Sequence, residues 1–130
     1  MHKFMHSGWH HTFLGITQQH TYWLYKVIDE ILNENKVEGI IEIGTGRGAL
    51  SIFLGLECFQ RKLGSLTTID IVKPEDTDRI FQVLAINFIK GDCFKDLVIP
   101  DKPILLFCDG GNKEKEFNYF VSKLKSGSII

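Results

Sequence analysis

The residues with the most chemical promise lie in and beyond one glycine-rich run, Glu42-Ile43-Gly44-Thr45-Gly46-Arg47-Gly48. Glycines at that spacing let the backbone come close to a ligand, and a helix starting just after them offers free N–H donors. Three aspartates follow at intervals, Asp70, Asp92 and Asp109, with Lys113 shortly after the last. Carboxylates at the ends of strands accept hydrogen bonds from hydroxyls and amines, so this set describes a site for a polar organic ligand.

Two ligand chemistries compete for such a loop. Gly44-x-Gly46-x-x-Ala49 also fits the loose dinucleotide fingerprint, which would place a pyrophosphate at the helix start. Glu42 opposes that, because a carboxylate two residues before Gly44 repels a pyrophosphate but suits an ammonium or a water bound to one. Gly48 extends the pattern to Glu-x-Gly-x-Gly-x-Gly, and a helix and an arm precede the first strand. These features favour S-adenosylmethionine. A tight turn with no ligand remains the plain alternative, with Glu42 then partnering a buried lysine or arginine. Asp70 falls about twenty residues past the loop, where a carboxylate can accept from both ribose hydroxyls. Its alternative is a capping or turn aspartate.

The elements that must position these residues alternate between strand and helix. Residues 1–16 show no clean period and read as an arm. Thr17 can cap a helix through about Asn35, with Leu24, Val27, Ile28, Ile31 and Leu32 on one stripe. The first strand is Ile40–Ile43, and residues 49–62 form an apolar helix after the loop. A second strand covers 66–71. Pro74 suits the first turn of a short helix carrying Glu75 and Asp76. Residues 85–89 and 103–108 are the third and fourth strands. A helix with Phe117, Phe120, Val121 and Leu124 on one face follows, and Ser126-Gly127-Ser128 turns into Ile129-Ile130. Short apolar strands between helices predict an α/β fold of Rossmann-like, three-layer α/β/α form. Its mainly parallel sheet takes the order 3-2-1-4-5, in a single domain over 1–130 with its core at 37–130.

Composition narrows the partners. The formal net charge is -1 and 24% of residues are charged, so no nucleic-acid or membrane-surface footprint stands out. Lys113, Lys115, Lys123 and Lys125 interleave with Glu114 and Glu116 in the pattern of a solvated helix face. Cys58, Cys93 and Cys108 have neither a disulfide framework nor a zinc spacing, and buried free thiols fit a reducing, cytoplasmic compartment. No apolar run approaches the ~20 residues of a membrane span. His6, His10 and His11 beside Trp9 read as a surface arm, since Gly8 disfavours a helix there. Tyr22, Trp23 and Tyr25 read as helix packing rather than as an aromatic substrate box.

Taken in order, the motifs resemble those of the class I S-adenosylmethionine-dependent methyltransferases, nearest the catechol-type and cephalosporin-hydroxylase-like O-methyltransferase branch. Ile40 to Gly48 resembles motif I, and Thr67-Thr68-Ile69-Asp70 the acidic end of the second strand. Gly91-Asp92 resembles the adenine-side motif, Leu106 to Gly111 the end of the fourth strand, and Leu124 to Ile130 the turn into the fifth. The resemblance implies methyl transfer to a small-molecule acceptor bearing a hydroxyl, with S-adenosylhomocysteine as product. It implies cofactor contacts from Glu42 to the methionine ammonium and from Gly44, Thr45, Gly46 and Gly48 along the loop. Asp70 and Ile71 would serve the ribose side, and Asp92 the adenine amino group with the backbone of Cys93 beside it, although Gly91-Asp92 also reads as a simple turn. Asp109 would face sulfonium and acceptor, and Lys113 would act as a base. A divalent cation belongs to relatives with an aspartate-x-aspartate-lysine run. The run Asp109-Gly110-Gly111-Asn112-Lys113 departs from it, so no metal ligands are assigned.

By the same resemblance, Trp9 to Gln19 would fold over the cofactor, with Gln18 and Gln19 as contacts. The family's strands 6 and 7 are lacking, and an uncovered fifth strand would draw a homodimer or a partner chain to its edge. Two other functions stay open, a non-catalytic cofactor-binding module and an NAD-dependent oxidoreductase.

Overall fold

The computed structural model describes residues 12–130. After a two-strand hairpin, β1 (Thr12–Phe13) and β2 (Ile16–Thr17), helix α1 spans Tyr22–Glu34. Strand β3 (Ile40–Ile43) leads through the glycine loop into α2 (Ala49–Arg61), and β4 (Thr67–Asp70) precedes α3 (Asp78–Val83). Then come β5 (Asn87–Lys90), the single turn α4 (Cys93–Asp96), β6 (Leu105–Cys108) and α5 (Lys113–Phe120), which runs into a 3-10 turn at Val121–Lys123.

The fold is α/β around a four-stranded parallel sheet in the order β5-β4-β3-β6. Ile129 adds one parallel bridge to Leu105 on the outer side of β6. All four residues of β3 are buried, as expected of a central strand covered on both faces. Alternation along the strands divides the core in two. Ile40 and Leu105 join Tyr25, Ile28, Leu50 and Leu54 from α1 and α2. Ile41, Ile43, Ile69 and Leu106 join Phe120, with Phe94 and Leu97 at the margin. Chain order and strand order together make β3 the turning point: the chain runs outward through β4 and β5, then returns to place β6 on the other side of β3. Loops at the carboxyl ends of β3 and β6 diverge there and open a crevice.

Several boundaries differ from the sequence-based expectation. Helix α1 begins at Tyr22 rather than after Thr17, because Leu14 and Gly15 (φ 49° and 86°) turn the chain and pair Ile16–Thr17 with Thr12–Phe13. Its buried face is Tyr25, Ile28 and Leu32, whereas Val27, Tyr22 and Trp23 are exposed, so only Tyr25 of the three aromatics packs inward. No helix starts at Pro74. Asp76 adopts a left-handed φ of 57°, which interrupts helical geometry, and α3 begins at Asp78. Ala85 (φ 52°) likewise delays β5 to Asn87. Glu116 is buried on α5 instead of lying on a solvated face. His6, Trp9, His10 and His11 lie outside the described residues. No described helix is long and apolar enough to cross a membrane.

Candidate functional site

A cavity of about 690 Å³ opens at the carboxyl ends of β3, β4, β5 and β6. Ligand pockets span about 300–1,000 Å³, so this one suits an organic molecule rather than a lone ion. Among the residues expected at the site, Gly44, Thr45, Gly46, Asp70, Ile71, Asp92, Cys93 and Asp109 line it together. Glu42, Gly48 and Lys113 do not. Glu42 sits beneath the loop, Gly48 precedes α2 against Thr77 and Phe81, and Lys113 lies outside on α5.

The loop's backbone explains its glycines without reference to a ligand. Gly44 has φ 92°, and a Cβ there would run into the backbone of Asp109, where the ends of β3 and β6 lie side by side. A Cβ on Gly46 would strike the side-chain oxygen of Gln19. The loop is fixed by bonds from Gly44 N to Ile69 O (2.9 Å) and from Gly48 N to Thr45 O (2.9 Å). Gly46 N donates to Asp70 Oδ2 (2.9 Å), and Arg47 N donates to Gln19 Oε1 (3.0 Å).

Glu42 is fully buried on the face of β3 that meets α1 and α2. Ser51 Oγ donates to its Oε2, and Thr68 Oγ1 donates to the same oxygen (2.6 Å). Because Thr68 spends its proton there, the 2.6 Å contact between the Thr45 and Thr68 hydroxyls has Thr45 as donor. A chain of hydroxyls therefore runs from the cavity wall down to a sealed carboxyl. Among the described residues no lysine or arginine is bonded to Glu42, and its Oε1 has no partner. Burial pushes the carboxyl up to about 7, against the lowering effect of Ser51 and Thr68. The nearby Tyr25 hydroxyl also lacks a partner, and burial followed by the Glu42 charge pushes that phenol up to about 12.

Asp109 lies at the end of β6 with both carboxylate oxygens engaged. His20 Nε2 meets Oδ2 at 2.7 Å, and Lys113 Nζ meets Oδ1 at 2.7 Å. Burial alone would raise this carboxyl, but the bonds from His20 and Lys113 outweigh it and hold the group below the usual range. The same contact raises Lys113, which keeps its ammonium protonated and opposes the base role that the resemblance implies for it.

The remaining carboxylates bond within the fold. Asp70 Oδ1 accepts from Val72 N (3.3 Å) while Oδ2 holds the glycine loop. Asp92 caps α4 by accepting from Phe94 N (2.9 Å), and its own N–H donates to Asp96 (2.7 Å). Glu116 accepts from Gly110 N (3.2 Å) and Asn112 N (3.4 Å), shaping the turn after Asp109. Among the described residues no cluster of three or more His, Cys, Asp or Glu side chains could hold a metal ion.

Several lining residues had no place in the expected set, among them His20, Phe94, Lys115 and Glu116. None of these carried a sequence signal, because the helix expected from Thr17 takes in the polar Gln18-Gln19-His20-Thr21 stretch. Of the two glutamines expected as contacts, Gln19 lines the cavity and Gln18 is buried away from it. Compared with family models and with curated proteins, the sequence matches none of them.

Proposed function

We propose that the chain is an S-adenosylmethionine-dependent methyltransferase acting on a small molecule through a hydroxyl acceptor, on a Rossmann-like three-layer sheet of order 3-2-1-4-5 in which Ile129 begins the fifth strand. The observation that carries this reading is the cavity at the carboxyl ends of the parallel strands, with carboxylates from Asp70, Asp92 and Asp109 on its walls. The site fits such a cofactor in two respects. Asp70 stands at the mouth of the strand next to the loop, where ribose hydroxyls can donate to it. Beneath the loop, the unpartnered Oε1 of Glu42 would be satisfied by a water that links it to an ammonium in the cavity. In this reading Gly44, Thr45, Gly46 and Gly48 back the cofactor's methionine end, Ile71 and Cys93 flank the nucleoside, and Asp109 faces the reacting centre. A pyrophosphate fits less well, because four carboxylates line the cavity and Lys115 is its one lysine or arginine.

A further part of the proposal concerns the sheet edge. Beyond β6 an apolar groove of about 550 Å³ runs between α1 and α5, lined by Val27, Phe107, Phe117 and Ile129 among others. A second copy or a partner chain would cover it. The free thiols at Cys58, Cys93 and Cys108 suit a cytoplasmic setting.

Thermal denaturation with S-adenosylhomocysteine and, separately, NAD tests the reading. A ligand at a hundred times its dissociation constant adds ~2.7 kcal/mol. S-adenosylhomocysteine should raise the melting temperature. Stabilisation by NAD alone would overturn the assignment, and cofactor binding without turnover across acceptor panels would favour a non-catalytic module.

A further inference from the structure

We propose that His20 is the general base that takes the acceptor's proton, with Asp109 as the residue that orients it. This rests on the methyl-transfer reading above. The inference follows from how His20 is held. Asp109 Oδ2 lies 2.7 Å from Nε2, and a carboxylate can only accept at that distance, so the proton of the neutral ring sits on Nε2. Nδ1 is then left with its lone pair, the form a base requires. His20 lines the same cavity as Asp109 and Gly44, at the side where the methyl-transfer reading puts the acceptor. Its ring stands edge-on to Phe107, with the ring centroids 6.4 Å apart.

The charges around the ring suit a transient imidazolium. Asp109 contacts it directly, Glu42 on β3 acts on it from beneath the loop, and Lys113 on α5 neutralises the far oxygen of Asp109. Lys113 itself is held protonated, which leaves the histidine as the available base on this wall. In the reaction, the acceptor oxygen forms its bond to the methyl carbon as that carbon's bond to sulfur breaks, the electron pair remaining on sulfur. His20 Nδ1 takes the hydroxyl proton and later releases it to water. Asp109 stays ionised throughout.

The full chain and its His20→Gln and Asp109→Asn variants test this. In 15N-resolved spectra of the wild-type imidazoles, the neutral His20 ring should show the Nε2–H tautomer. Asp109→Asn should weaken that preference. With a phenol as acceptor, His20→Gln should lower methyl transfer by about 10²-fold or more. Its S-adenosylhomocysteine affinity should stay within about two-fold of wild type, since a general base acts on the acceptor and not on the bound cofactor. An Nδ1–H tautomer, or affinity lost in parallel with rate, would overturn the base role and leave His20 as a fastening for the segment before α1. Unchanged turnover in His20→Gln would sink the base alone, whereas a wild-type chain that does not bind S-adenosylhomocysteine would sink the methyltransferase reading itself.

Discussion

Burial makes the negative charge of Glu42 costly. Its carboxyl is shifted from 4.5 to about 7 in the folded chain, so folding favours the protonated form. The corresponding stability is fully present below the unfolded value near 4.5 and is lost as pH rises through 7. The size of the loss is on the order of 3 kcal/mol. Glu42→Gln keeps an oxygen that can accept from Ser51 and Thr68 but cannot ionise. Urea denaturation at pH 5 and pH 8 should find the variant close to wild type at pH 5 and more stable at pH 8. Equal slopes for both proteins would mean that Glu42 is solvated after all. A ligand that places an ammonium near Oε1 acts the other way: it favours the ionised form, so its affinity should climb as pH rises from 6 to 8. At this scale Asp70 and Asp109, which line the cavity, were legible because strand ends can be read from apolar runs, whereas Glu42 lies inside β3 and off the cavity. His20 was not legible. Only the folded chain shows that the segment before α1 lies against the end of β6. Glu116 was misread for a related reason: alternating charges on α5 look solvated until the turn at Gly110–Asn112 supplies two N–H donors.

At the scale of elements, the glycine loop and α4 make separable demands. Gly64 also has a left-handed φ, 80°, but a Cβ there meets nothing within 4 Å. Gly64→Ala should therefore cost only the backbone penalty, about 1–2 kcal/mol. Gly44→Ala adds a collision with the Asp109 backbone, which cannot move without parting β3 from β6. Chemical denaturation should find it the more damaging by at least ~2 kcal/mol. If the two variants lose equal stability, the junction of β3 and β6 is looser than described. Asp92→Ala removes the cap on α4 and should cost about 1 kcal/mol, while Asp92→Asn retains an acceptor and should cost little. The single turn α4 could not be read from sequence, since four residues carry no helical period. The starts of α1, α3 and β5 were misplaced for a different reason. Leu14, Asp76 and Ala85 take left-handed conformations that side-chain type does not announce.

At the scale of the whole molecule, the parallel α/β architecture was legible because strand and helix periods alternate cleanly and because β3 is apolar except at Glu42. The edge beyond β6 is less complete. Ile129 contributes one bridge, and the groove beside it is apolar with Lys113 and Glu114 at its margin. If a second copy covers it, sedimentation should show association that grows with concentration, and Phe117→Glu should shift the chain to monomer. Association unaffected by that change would place the interface elsewhere.

Cys93 gives this architecture a practical use. It alone among the cysteines lines the cavity, and burial raises its thiol. Cys58 and Cys108 are pushed higher, to about 11. Because the thiolate is the reactive species, Cys93 should be the first alkylated in mildly alkaline solution. Occupancy of the cavity should then slow its labelling in proportion to the bound fraction. A maleimide time course followed by mass spectrometry would thus count bound ligand directly, whatever the acceptor proves to be.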